Sequence, residues 1–205
     1  AQAFSSCIRV KTAENVNAPS SYTFSSTFNG MRSLTSIAGL VTTGSVTFDN
    51  FLSNTSALTN VPFFDTSRCV TATSMFQNSA VIDLPNLDFT KVVVGSTMFN
   101  NALSLRTIGN SAFPSLVTAD NLFSGCQALI AWPSAYPRLT SGANMFNSCL
   151  VISELDLDLP VIVVISGLAT GNSTLKKLRL QNTSNATNAA LFVNNSTFLQ
   201  SIEMD

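Results

Sequence analysis

The chain has 205 residues, with no histidine, one tryptophan, two tyrosines and only 10% charged residues. Without histidine there is no Ser-His-Asp or Cys-His nucleophilic arrangement and no histidine-containing zinc site. Charged residues make up about 25% of an ordinary globular sequence; here Ser, Thr and Asn take the missing share. The formal charge of −1 gives no electrostatic reason to expect nucleic acid or an acidic membrane as partner. No apolar run approaches the length of a membrane span, about 18 residues. The longest, Val161–Ile165, is β-branched and of strand length, so membrane insertion is not expected. Cysteine pairs at metal-ligand spacing are absent. Gly167–Thr174 (GLATGNST) lacks the lysine of a phosphate loop, so no cofactor is expected. There is no N-terminal methionine, and Ala1–Cys7 has neither a basic head nor a hydrophobic stretch. The chain therefore reads as a processed product or an excerpt.

What the sequence does have is a repeat along its whole length. Phe28, Leu52, Phe76, Phe99, Phe123 and Phe146 follow one another at spacings of 24, 24, 23, 24 and 23 residues. The frame extends back to Phe4 and forward to Ala169 and Val193. Six residues after these anchors stand Val10, Leu34, Leu58, Ile82, Leu105, Leu129, Ile152, Leu175 and Leu199. A fixed period in the twenties specifies a solenoid, in which each unit buries its apolar face only against its neighbours. Residues 1–205 are read as one elongated domain. Solenoids close their ends with polar capping units. Neither end offers one, so the expectation is that more chain or another subunit covers at least one of them.

Each unit carries two strand-like stretches. The first has inward positions six, nine and eleven residues past the anchor, as in Ile152, Leu155 and Leu157 or Leu175, Leu178 and Leu180. Trp132 falls in the inward ninth slot. The second stretch lies upstream of the next anchor and alternates at period two, as in Tyr22/Phe24, Val46/Phe48, Val117/Ala119 and Val163/Ile165. Between the two, Met75-Phe76-Gln77-Asn78-Ser79 and Met145-Phe146-Asn147-Ser148-Cys149 predict a tight, partly helical corner. Asn or Gly two residues past the anchor (Gly30, Asn54, Asn78, Asn101, Gly125, Gly171, Asn195) suits left-handed backbone there.

Stacking sets the register of the outer face. Glu154 is predicted beside Lys177, and Asp156 beside Arg179 beside Glu203, an acid–base–acid ladder that is read first as structural. Cys126 and Cys149 occupy one slot in adjacent units, about 5 Å apart, within disulfide range. That slot elsewhere holds Thr55, Ser79, Ala102 and Ser196, so small buried free thiols also satisfy it. Asp65 and Asp88 stack where calcium could bridge them, although Asp65-Thr66-Ser67 reads more simply as a turn cap. Tyr136, in the Pro133–Pro137 loop, is expected to be exposed and is the one aromatic contact candidate.

The phrase from Phe64-Asp65-Thr66-Ser67 through Met75-Phe76-Gln77-Asn78-Ser79 resembles the BspA-like leucine-rich repeats, especially the branch in mycoplasma-type surface lipoproteins. Leu87-Asp88-Phe89-Thr90 through Met98-Phe99 repeats it. Leu122-Phe123-Ser124-Gly125-Cys126-Gln127-Ala128-Leu129 and Met145–Cys149 carry its second half. The first two and last two units are degenerate. The resemblance implies a repeat solenoid of about nine units, mainly parallel β-strands with short helical turns. It also implies use for adhesion or recognition on a cell surface, or as a structural part of a phage or viral particle. It supplies no catalytic residues. The expected chain is a non-enzymatic module, extracellular or on a virion, whose partner is a protein, a glycan or sister subunits of a larger assembly. The candidate contact residues are Tyr136, Glu154, Asp156, Lys177, Arg179 and Glu203. A purely architectural spacer is the alternative, and an enzyme a remote third.

Overall fold

A coil stacked in parallel on the next must hand alternate backbone groups across to it. The computed structural model, which describes residues 3–17 and 22–205, shows that exchange at each anchor from Phe4 to Ala169. The Phe28 N–H donates to the Phe51 carbonyl at 3.1 Å, Leu52 to Met75 at 2.8 Å, Phe76 to Met98 at 2.8 Å and Phe99 to Leu122 at 2.9 Å. Phe123, Phe146 and Ala169 continue the series onto Met145, Leu168 and Phe192. The result is a parallel β-solenoid, with the nine anchors marking out eight complete turns.

Five stretches are regular enough to be strands. They are β1 (Thr12–Glu14), β2 (Ser36–Ala38), β3 (Glu154–Asp158), β4 (Lys177–Gln181) and β5 (Ser201–Met204). β1 pairs with β2, and β3–β4–β5 form a second sheet; every pairing is parallel. Between them, single bridges carry the first side through Asn60, Asp83, Thr107 and Ala131. The other side is one ladder of single residues: Thr23, Thr47, Thr71, Val94, Thr118, Ser141, Val164 and Asn188.

Two expectations about local structure change. The corners contain no helix among the described residues. Gln77 and Ser79 donate back three residues, to Ser74 and Phe76, but the alternate amides of Phe76 and Asn78 go to Met98 and Asn100 of the next coil. An α-helix needs consecutive amides bonded within its own chain segment, so the coil-to-coil ladder excludes one. The second side has an inward period of three rather than two: Leu116, Ala119 and Leu122 are buried, as are Ile162, Ile165 and Leu168. Tyr22 is 71% exposed, Val163 is exposed, and Val46 and Val117 are half-buried. Successive i→i+3 turns set that period, as in Leu122 N–H to Ala119 and Leu168 N–H to Ile165.

The anticipated left-handed backbone is present two residues past the anchor, at Gly30, Asn54, Asn78, Asn101, Gly125, Gly171 and Asn195. A second left-handed column, two residues before the anchor, carries that signature in only half of its members: Ser26, Asn50, Ser74, Thr97, Asn121, Asn144, Gly167 and Leu191. One further register shifts. Val81 is fully buried and Ile82 only half-buried, because the unit after Phe76 is one residue short before Asp83 pairs with Asn60 and Thr107.

The core is a set of columns. Phe76, Phe99, Phe123 and Phe146 stack with centroids 5.5, 5.4 and 5.3 Å apart. That spacing suits offset rings, which prefer about 4.5–7 Å. Phe89, Phe113 and Tyr136 form a second column. Trp132 is half-buried rather than enclosed, with its ring 5.6 Å from Phe146. The cysteines are free thiols. Cys126 Sγ points at the Phe99 carbonyl, 3.1 Å away, and Cys149 Sγ at the Phe123 carbonyl, 3.2 Å away. Each thiol is thus directed to the anchor of the preceding coil, not to the other sulfur.

Two outcomes follow from this packing. Phe99→Ala removes the middle of the stack and should cost about 3–5 kcal/mol by denaturant titration, whereas Phe63→Ala, at a residue 67% exposed, should stay within about 0.5 kcal/mol. Burial pushes the Cys69 and Cys149 thiols up from 9.0 to about 12, and raises Cys126 as well. The folded thiols keep protons that the unfolded ones release, so stability should fall as pH rises from 9.0 through about 12. In native protein a thiol reagent should label exposed Cys7 and spare the other three until unfolding.

Candidate functional site

β3, β4 and β5 turn alternate residues outward because a strand has a side-chain period of two. Leu155, Leu157, Leu178 and Leu180 go into the core, leaving charged side chains on the outer face. The parallel register sets Glu154 beside Lys177, Asp156 beside Arg179, and Arg179 beside Glu203. Lys177 Nζ lies 3.2 Å from Glu154, and the Arg179 guanidinium 3.5 Å from Asp156 and 3.6 Å from Glu203. The structure thus brings five of the six candidate residues onto one flat face, in the order their repeat positions predicted.

Tyr136 is the exception and is corrected here. It is fully buried, its ring stacks 6.4 Å from Phe113, and its hydroxyl has no hydrogen-bond partner. Burial raises its pKa well above the ordinary 10.0. The column that contains Phe89 and Phe113 continues through position 136, so the aromatic ring is drawn inward while the flanking Pro133–Pro137 loop stays largely outside. It takes no part in the face.

Gln181, Asn182 and Asp205, none of them among the candidate contact residues, complete the edge of the face. Gln181 Nε2 donates to Asp156 at 2.7 Å, and Asn182 Nδ2 to Asp158 at 2.8 Å. Asp205 accepts from the Asn182 N–H at 2.6 Å and, through its main-chain carbonyl, from the Thr183 N–H. Their signal was the same register, continued past the charged positions. The groove between Glu154, Lys177 and Ser201 encloses only about 130 Å³, below the range of small-molecule pockets, about 300–1,000 Å³. The face is suited to a flat surface pressed against it rather than to enclosing a ligand.

Asp65 and Asp88, the pair that calcium could have bridged, cap their own turns, the simpler of the two readings. Asp65 accepts from the Ser67 N–H at 2.9 Å. Asp88 accepts from the Thr90 N–H and hydroxyl at 2.9 and 2.6 Å, and these bonds hold its carboxyl below the usual range. Asp49 and Asp120 act between coils: Asp49 accepts from the Thr73 N–H and Asp120 from the Ala143 N–H. Among the described residues no cluster of three acidic or cysteine side chains could hold a metal ion, and no helix is long and apolar enough to cross a membrane.

This architecture is that of a leucine-rich-repeat solenoid. A solved leucine-rich repeat protein from Bacteroides ovatus superposes on it with a TM-score of 0.64 at 15% identity, over 97% of this chain and 56% of that one. This chain therefore spans little more than half the length of that protein. No family model matches the sequence, and no curated protein does.

The charged ladder should be a minor source of stability. Its side chains are at least half exposed, and exposed pairs contribute about 0.2–1 kcal/mol each. Arg179→Ala should therefore cost about 1 kcal/mol or less, and the difference from wild type should shrink in 1 M NaCl, where the Debye length is about 3 Å.

Proposed function

We propose that this chain is a non-enzymatic recognition module of the BspA-like branch, displayed on a cell surface or a virion and binding a protein or glycan partner through its flat faces. One observation supports the reading above others. The β3–β5 sheet brings Glu154, Asp156, Lys177, Arg179 and Glu203 together on one exposed plane, in a sequence with only 10% charged residues. The ladder adds little to stability, so its value lies in what it presents. Alternating charges on a rigid sheet favour a partner of complementary pattern and disfavour others.

A second reading is an architectural element that stacks onto sister subunits by continuing the parallel coil-to-coil hydrogen bonding that runs along the solenoid.

The test is to screen the purified chain against a glycan array and against the surface or particle proteins of its source, alongside chromogenic glycoside, ester and peptide substrates. Saturable binding without product formation is expected, and Lys177→Glu/Arg179→Glu should weaken binding of a protein partner by about tenfold or more. Catalytic turnover of any substrate would overturn the non-enzymatic reading. Concentration-dependent assembly by light scattering, with no heterologous binding, would favour the architectural one.

A further inference from the structure

The coil after Phe76 is the one shortened between its anchor and the bridged row, and a groove lies there. Eight residues separate Leu52 from Asn60 and Phe99 from Thr107, but only seven separate Phe76 from Asp83, although Asn60, Asp83 and Thr107 are bridged in one row. In neighbouring coils the chain after the anchor closes a turn, with the Leu58 N–H on Thr55 and the Leu105 N–H on Ala102. In the short coil the Ala80 N–H instead reaches back to the Thr55 carbonyl. The backbone is drawn inward there, and a surface groove of about 500 Å³ runs across three coils.

The floor of this groove holds an unpaired hydroxyl. Ser79 is 5% exposed and its Oγ has no hydrogen-bond partner. The other buried polar members of the same column bond an anchor carbonyl: Thr55 that of its own coil, Leu52, at 2.7 Å, and Cys126, Asn172 and Ser196 those of the preceding coil, Phe99, Phe146 and Ala169. A buried hydroxyl left unbonded is destabilising. Of the buried side-chain N and O atoms described, only Ser79 Oγ and Tyr136 Oη are unpaired, and only Ser79 lies at a groove.

The walls identify the ligand class. Ser56 and Ser104 bring hydroxyls from the flanking coils, and Asn78, whose Nδ2 donates to Asn54 at 3.0 Å, retains its carbonyl oxygen as an acceptor. Leu103, 52% exposed, gives an apolar side, and no lining residue is charged. Two steps between coils span about 10 Å. That length suits one ring better than an extended peptide. We propose that this groove binds a single neutral pyranose unit of a glycan, with ring hydroxyls on Ser79, Ser56, Ser104 and Asn78 and the C–H face against Leu103. Rotation about the Ser79 Cα–Cβ bond presents the orphan hydroxyl to the sugar. The inference rests on the recognition reading and gives it a ligand class and a place separate from the charged face.

The experiment is an amide NMR titration of the ¹⁵N-labelled chain with methyl glucoside, methyl galactoside and methyl mannoside. Saturable shifts are expected at Ser79, Ala80, Leu103 and Ser104. Ser56→Trp should block the groove and abolish them, with Leu103→Ala as a second variant at an exposed site. Ser79→Ala should weaken binding about fivefold to tenfold, as loss of one hydrogen bond does, yet raise the melting temperature of the free protein by deleting an unpaired group. A lower melting temperature for Ser79→Ala would show that the hydroxyl is already paired and overturn the site. Shifts confined to β3–β5, or unaffected by Ser56→Trp, would overturn the site while leaving recognition intact. No sugar-induced shift, together with a protein partner that binds, would reject the sugar and spare the broader reading. No partner of either kind would overturn both.

Discussion

The hydrogen bond from each anchor amide to the carbonyl one coil further on is the constraint from which the rest of this molecule follows. It fixes the pitch at the inter-strand spacing, about 4.8 Å, and thereby puts every residue beside its own counterparts. A side chain is acceptable at a position only if it tolerates copies of itself, or near copies, at that distance. Phenylalanine does, because rings 5.3–5.5 Å apart pack offset face to face. Charges do not, which is why the outer face of β3–β5 alternates acid, base and acid. Where Ala169 ends the aromatic column, Leu155, Leu157, Leu178 and Leu180 fill the interior from longer strands.

The same constraint shows where the repeat has room to vary. The ladder rows are held from both sides, so a lost residue must be absorbed between them. The coil after Phe76 does this between the anchor row and the Asp83 row, where Val81 takes the buried slot and the Ser79 hydroxyl is unpaired. Tyr136 is the other place where a column overrules chemistry. The ring satisfies the row above Phe113, and the hydroxyl is carried into a dry interior without a partner. Both exceptions depend on what the neighbouring coil offers, not on local sequence.

That dependence explains what could be read in advance. The anchors, the parallel stacking, the left-handed asparagines after the anchor and the acid–base ladder are all properties of period, and a single chain displays its own period. The ladder was legible because Glu154, Lys177 and Arg179 keep their offsets from Phe146 and Ala169. The second left-handed column was not, since Ser26, Ser74, Thr97 and Leu191 break its run of Asn and Gly and share no chemistry. The period of three at Leu116, Ala119 and Leu122 was missed because valines on the same segment imitate strand alternation. Tyr136 misled because the prolines around it mark a loop, while its row belongs to the core. Most of the fold was therefore visible, and the face with it. The groove was not, because it arises from a missing residue seen against two neighbours.

The uniform step between paired residues has a bearing on how such a chain acquires its structure. Every ladder bond joins positions one repeat apart, so closing each new coil costs the same loop entropy wherever it is added. The sequence separation of its contacts does not grow with chain length, unlike that of a closed barrel or sandwich. Ordering can start where the rows are richest, in the phenylalanine stack from Phe76 to Phe146, and spread outward one coil at a time. The degenerate outer units would then be the last to form and the first to fray, while the centre holds.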